Sequence, residues 1–221
     1  LRGGLLRTLA TNQRRTEEGL RLFETGRIYN NRPGDLPDER ETVGAVLAGR
    51  KLPRTWTGEE GFEDFFGAKG ILEAVLAGLG ITATFEPGSS RLLHPGRTAR
   101  VTVSGQEVGL IGEILPDIAD EFDLTTRPAF LFELDLNHLA PHLPQWRNYR
   151  PTGRFPGAIR DLSLIVPLKT HAGTVGELIR TFPSVTTATL LDVYTGEAVS
   201  AESKSLSYRI VYHSPTRTLT D

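Results

Sequence analysis

The chain has 221 residues, a net charge of −2, 38% apolar and 24% charged residues, a composition that fits a soluble globular protein of one large domain or two modest ones. It contains no Cys, which excludes disulfides, thiolate zinc sites and cysteine nucleophiles together. Near-neutral charge also excludes a protein that coats nucleic acid nonspecifically, so any RNA contact needs locally placed Arg and Lys.

No apolar run approaches the roughly 20 residues of a membrane span, and Leu1 opens no recognisable signal peptide. The expectation is a soluble, cytoplasmic protein. The absence of any Met, including an initiator, gives the further expectation that the chain is part of something longer. Charge is negative before Pro151 and slightly positive after it.

A first helix is predicted from Leu5 through Arg14, and Thr42 to Ala48 reads as a buried strand. Leu72, Val75, Leu76 and Leu79 fall at i, i+3, i+4 and i+7, one stripe of a helix that Gly80 stops. Ala99 to Val103 and Val108 to Ile114 form a predicted hairpin turning at Ser104-Gly105. Pro116 suits the first turn of a short helix through Phe122, and Phe130 to Leu136 alternates as a strand. Strands and helices interleave without strict alternation, so the class is α+β. Leu139 to Gly153, with Pro141, Pro144, Pro151 and Gly153, reads as a linker between two domains, 1–148 and 149–221.

After the linker, Leu162, Leu164 and Val166 mark one face of a strand ending at Pro167. Thr174 and Glu177 have capping-box spacing, and Val175, Leu178, Ile179 and Phe182 supply a helical stripe that Pro183 ends. A strand through Tyr194, a turn at Thr195-Gly196 and a strand from Leu206 to His213 follow, with Leu206, Tyr208, Ile210 and Tyr212 on one face and Ser207, Arg209, Val211 and His213 on the other. Thr218 and Asp221 resemble the start of another capping box. The order β-α-β-β with a helix beginning is an incomplete ferredoxin-like unit, short of most of its second helix and its fourth strand. The edge at Leu162 to Val166 is therefore expected to be unpaired.

His138 and His142 have i, i+4 spacing, but Pro141 between them discourages a helix and no neighbouring ligand completes a metal site. His94 in Leu-Leu-His-Pro-Gly sits at a strand-to-turn position where a satisfied polar residue is the simpler reading. Gly67-x-x-Gly70 lacks the ending of a phosphate loop, and neither G-x-G-x-x-G nor G-x-S-x-G occurs. An open sheet can stack unpaired bases on aromatic rings and hold phosphates with Arg. On that ground the candidate RNA contacts are Arg160, Tyr194, Lys204, Arg209, His213 and Arg217. Each also has a plainer reading: Arg160 and Asp161 can pair with neighbours, and Tyr194 can belong to the core.

Three stretches carry a resemblance: Phe155-Pro-x-x-x-Arg-Asp-Leu162, Asp192-Val-Tyr-Thr-Gly196, and Lys204-Ser-Leu followed by Arg217-Thr-Leu-Thr-Asp221. Leu22-Phe-Glu-Thr-Gly-Arg-Ile-Tyr29, Phe65-Phe-x-x-Lys-Gly-x-Leu-Glu73, Leu93-His-Pro-Gly96 and Val108-Gly-Leu-Ile-Gly112 extend it over nearly the whole chain. Together these segments resemble the C-terminal part of the bacterial phenylalanyl-tRNA synthetase beta subunit family; Leu115 stands where that family usually places His. The resemblance implies a class II synthetase-like antiparallel sheet domain that does no catalysis, followed by a ferredoxin-fold anticodon-binding domain. It also implies partners: the alpha subunit, tRNA-Phe, and a tetramer of two alpha and two beta subunits. No cofactor is expected in this part, ATP and magnesium serving the whole enzyme at the alpha subunit. The sequence agrees that the first domain is not catalytic, since neither an F-R-x-E strand nor a G-x-G-x-G-x-R helix start occurs to place Arg on an ATP phosphate. Two alternatives are an independent adenylating enzyme and a ferredoxin-like small-molecule regulatory or sensor module.

Overall fold

The computed structural model describes residues 1–16, 19–51, 61–144 and 154–219. The chain divides into two compact units, Leu1–Arg147 and Asn148–Asp221.

In the first unit, helix α1 (Arg2–Gln13) precedes strands β1 (Leu20–Asn30) and β2 (Asp38–Ala48), then helix α2 (Phe65–Gly78). Strands β3 (Thr84–Pro87), β4 (Leu93–Val103) and β5 (Gln106–Ile114), helix α3 (Pro116–Glu121), strand β6 (Ala129–Asp135) and helix α4 (Leu136–Leu139) complete it. The six strands form an antiparallel sheet in the order β1-β2-β6-β5-β4-β3. β2 and β6 lie inside it and are covered on both faces, so Ala129 to Phe132 is buried without a break where the sequence reading has alternation. On one face Leu5, Leu6 and Leu9 of α1 pack with Val46, Ala48 and Leu131. On the other, Leu72 and Leu76 of α2 pack with Leu47, Val101, Ile111, Phe130 and Phe132. The β4–β5 hairpin turns where expected, with positive φ at both Ser104 and Gly105; this two-residue turn matches the twist of the flanking strands.

The edge strands and the linker of this unit differ from the sequence reading. That reading holds neither β1 nor β3, because an edge strand leaves much of itself in solvent and shows only a broken alternation. The linker begins later than Leu139: that residue is buried in the core, and α4 leads into a 3-10 turn at Ala140–His142. Asp135 starts α4 by accepting hydrogen bonds from the Asn137 and His138 amides, and Pro141 fits the first turn of the 3-10 segment. The rest of the predicted linker, 145–153, lies outside the described residues.

The second unit runs β7 (Ala158–Pro167), α5 (Ala172–Arg180), β8 (Val185–Tyr194), β9 (Ser203–Tyr212). Its antiparallel sheet has the order β7-β9-β8, so the last strand lies in the middle as a ferredoxin-like unit requires. Among the described residues β7 pairs with β9 alone. One sheet face carries α5, where Ile179 packs with Ala188, Leu206, Tyr208 and Ile210. Arg180 donates to the Ala188 carbonyl at 2.9 Å, tying the helix end to β8.

Thr174 and Glu177 do not form a capping box. The helix starts one turn earlier, with His171 as a cap that makes no side-chain bond. Ala172 is drawn in by the core and its carbonyl accepts the Tyr208 hydroxyl at 2.6 Å, so tertiary contact sets the start. The predicted stripe also splits. Ile179 is buried and Val175 packs on the core, whereas Leu178 and Phe182 are 61% and 59% exposed. The cap expected at Thr218 and Asp221 extends past residue 219, outside the described residues.

Candidate nucleic-acid interface

Partners in an antiparallel register lie on the same side of the sheet, so pairing assigns each side chain a face. Leu206, Tyr208 and Ile210 point to α5. The intervening residues of β9 point away from it: Ser205 between Tyr194 and Ile165, Ser207 between Asp192 and Ser163, and Arg209 between Thr189 and Asp161. These three rows lie on a face that α5 does not cover, and their β7 and β8 members are exposed.

Of the six residues singled out from sequence, Tyr194 and Arg209 share this open face, about 13 Å apart along β9 at the usual strand rise. Arg160 and Lys204 do not join them. Their register partners are Ile210 and Val166, which puts both on the helix side of the sheet. Arg160 donates to the neighbouring Ile159 carbonyl at 3.0 Å. His213 and Arg217 follow the end of β9. The His213 amide donates to the Ser184 carbonyl at 2.8 Å, at the opposite end of the sheet from Tyr194. His213 Nε2 is enclosed without a hydrogen-bond partner among the described residues. Arg217 is exposed in an irregular segment.

Tyr194 is not core: it is 44% exposed. Its ring lies over Gly196, where any Cβ would fall inside the van der Waals radius of the phenol. The D-x-Y-x-G spacing therefore has a steric cause, because only Gly lets the turn approach the ring. Arg209 is held across the sheet by Asp161, with Nε to Oδ1 at 2.9 Å and Nη2 to Oδ2 at 2.8 Å. Through that hydrogen bonding and the guanidinium charge, Asp161 is held below the usual carboxylate range. Ser163 and Ser207 hydroxyls join at 2.8 Å in the next row. Alternation in β9 placed Ser207 with Arg209 from sequence, but Asp161, Ser163 and Thr189 were missed as members of the site. Their membership depends on register, which a single strand's pattern does not contain.

Several arginines of the first unit are ion-paired as Arg209 is. Arg2 is bonded to Glu133, Arg27 to Glu39 and Glu41, Arg97 to Glu113, and Arg100 to Glu86. Arg21 donates through Nε and Nη2 to Oε1 of Glu63, whose side chain is 1% exposed. Arg21, whose partner is buried, is a structural tie rather than a phosphate anchor. Of the histidines considered as metal ligands, His138 Nδ1 lies 3.3 Å from Asp135 and His142 Nε2 lies 3.3 Å from Gln106. His94 Nδ1 accepts the Gly96 amide at 3.1 Å. No helix among the described residues is long and apolar enough to cross a membrane.

Comparison with known proteins gives two matches to family models. Residues 1–136 match the phenylalanyl tRNA synthetase beta chain CLM domain, and residues 153–221 match the ferredoxin-fold anticodon binding domain. Similar curated proteins are phenylalanine--tRNA ligase beta subunits. That of Dehalococcoides mccartyi (strain ATCC BAA-2266 / KCTC 15142 / 195) is 36% identical over 100% of this chain and 27% of the relative. That of Geobacillus kaustophilus is 35% identical over 98% of the chain and 27% of the relative. That of Symbiobacterium thermophilum is 37% identical over 98% and 25%. The chain thus spans about a quarter of the length of these relatives. One model describes a synthetase chain and the other an anticodon binding domain, which sets aside the small-molecule sensor considered from sequence.

Proposed function

The chain belongs to the phenylalanyl-tRNA synthetase beta-chain family, and from that membership we propose that it supplies tRNA recognition and subunit assembly to a phenylalanine-tRNA ligase. The second unit binds the anticodon side of tRNA-Phe. The first unit is a non-catalytic scaffold that packs against the alpha subunit within a tetramer of two alpha and two beta subunits. ATP and magnesium serve adenylation at the alpha subunit, and the assembly works in the cytoplasm, where tRNA is charged.

One observation carries this reading: the segment matching the anticodon-binding model contains a sheet face free of its own helix, with an exposed Tyr beside serine hydroxyls. Exposed aromatic rings on such sheets stack unpaired bases, and every base offers a π-face to them. Arg21, tied to the buried Glu63 carboxylate, supports a scaffold role for the first unit.

The test is tRNA-Phe affinity and phenylalanine-dependent pyrophosphate exchange in the complete enzyme, wild type against Tyr194→Ala. Stacking of a base on an aromatic ring is worth about 1–3 kcal/mol, so affinity should fall by about 5- to 100-fold with exchange unchanged. Wild-type tRNA affinity in this variant would remove the Tyr194 ring from tRNA recognition.

A further inference from the structure

The open face has the wrong charge for holding phosphates. Its strand positions carry one cation, Arg209, and two carboxylates, Asp161 and Asp192. The basic residues Arg160 and Lys204 of the same strands turn to the other side. Arg209 is moreover already bound edge-on by Asp161. A phosphate approaching that guanidinium also approaches a carboxylate whose proton affinity is depressed by the pairing, and so remains ionised at neutral pH. The pair as a whole is neutral.

It is nevertheless rich in directed hydrogen-bonding groups. Binding Asp161 through Nε and one Nη2 hydrogen leaves the Nη1 amino group and the second Nη2 hydrogen available as donors. Each Asp161 oxygen keeps a lone pair, and Ser207, Ser163 and Thr189 alongside can donate or accept. Donors and acceptors side by side, fixed in plane and without net charge, complement the edge of a base or a ribose hydroxyl.

We infer that the Asp161–Arg209 pair recognises an uncharged nucleotide edge, with Asp161 as the positioning residue that holds the guanidinium plane, and that phosphates are not its ligands. This deepens the tRNA-binding reading and rests on it.

The experiment measures tRNA-Phe dissociation constants for the complete enzyme at one fixed KCl concentration. Arg209→Ala should weaken binding by about 5- to 100-fold, the range for a bidentate contact to a base edge. Arg209→Lys should fail to restore it, because a point charge lacks the planar fork. Asp161→Asn should also weaken binding, since the plane is released. A phosphate anchor predicts the reverse on the last two counts: Lys would restore binding, and Asp161→Asn would strengthen it by removing a repelling charge. Either result overturns the inference, as does wild-type affinity in Arg209→Ala.

Two RNA series separate the possible partners. In one, anticodon-loop riboses are replaced singly by deoxyribose; in the other, loop bases are replaced singly by abasic sites. The replacement at which the Arg209→Ala penalty disappears identifies the group contacted, and a penalty that survives every replacement overturns the inference. Tyr194→Ala is the reference: if it weakens binding and Arg209→Ala does not, only the edge contact falls. If neither does, the tRNA-binding face falls as well.

Discussion

At the scale of single residues, the site depends on one close approach and one ion pair. The Tyr194 ring rests on Gly196, so Gly196→Ala should push the ring from its place and reproduce the Tyr194→Ala loss of tRNA affinity. Thr195 and Glu197 on either side are exposed, and thermal melting should change little; a large drop in melting temperature with normal tRNA affinity would contradict this. Asp161 titrates below an ordinary carboxylate because Arg209 bonds its charged form. The pair therefore contributes stability fully above the unfolded carboxylate value of about 3.9, and that contribution is lost as pH falls through the lower folded value. The carboxyl carbon chemical shift of Asp161 should follow this midpoint, and Arg209→Ala should move it up towards the unperturbed value. Residue types and spacing made Tyr194, Gly196 and Arg209 legible in the sequence. Asp161 was visible there only as a neighbour of Arg160, because its partner lies 48 residues away across the sheet.

At the scale of elements, α5 shows why a periodic stripe overstates what is buried. Val175, Leu178, Ile179 and Phe182 have helical spacing, yet the helix meets the sheet through Ile179 and Val175. Ile179→Ala should cost about 2–5 kcal/mol, the usual range for truncating a buried aliphatic side chain. Leu178→Ala should stay within about 0.5 kcal/mol, as an exposed substitution does. Denaturant unfolding monitored by circular dichroism compares them. The same helix took its start from Ala172 and Tyr208, a tertiary contact that overrode the T-x-x-E pattern. By contrast, the β4–β5 hairpin was fully legible, since Ser104-Gly105 is a local turn signal flanked by strands that pair only with their neighbours in sequence at that end. β1 was hidden by its edge position, and the strand order of either sheet was beyond periodicity alone, which gives a face but not a partner.

At the scale of the molecule, the two units have separate cores of unequal size. Leu72, Val101, Phe130 and Phe132 belong to one of the two clusters in the first unit, while the second unit has a single cluster around Ile179, Leu206, Tyr208 and Ile210. A smaller core leaves a smaller margin over chain entropy, so scanning calorimetry of the 221-residue chain should resolve two transitions with the second unit melting first. Ile179→Ala should lower only the first transition. Arg21→Ala, which strands the buried Glu63 carboxylate, should lower only the second by about 1–3 kcal/mol. A single transition shifted by both substitutions would show the units to be energetically joined. The pairing of Arg209 with Asp161 has, finally, a consequence in time. A guanidinium already answered by a carboxylate projects little field beyond a Debye length of about 8 Å, so this face does not draw RNA in from a distance. Removing the pair as a whole should leave the association rate unchanged, and its share in selecting among tRNAs should be expressed in how long each one stays.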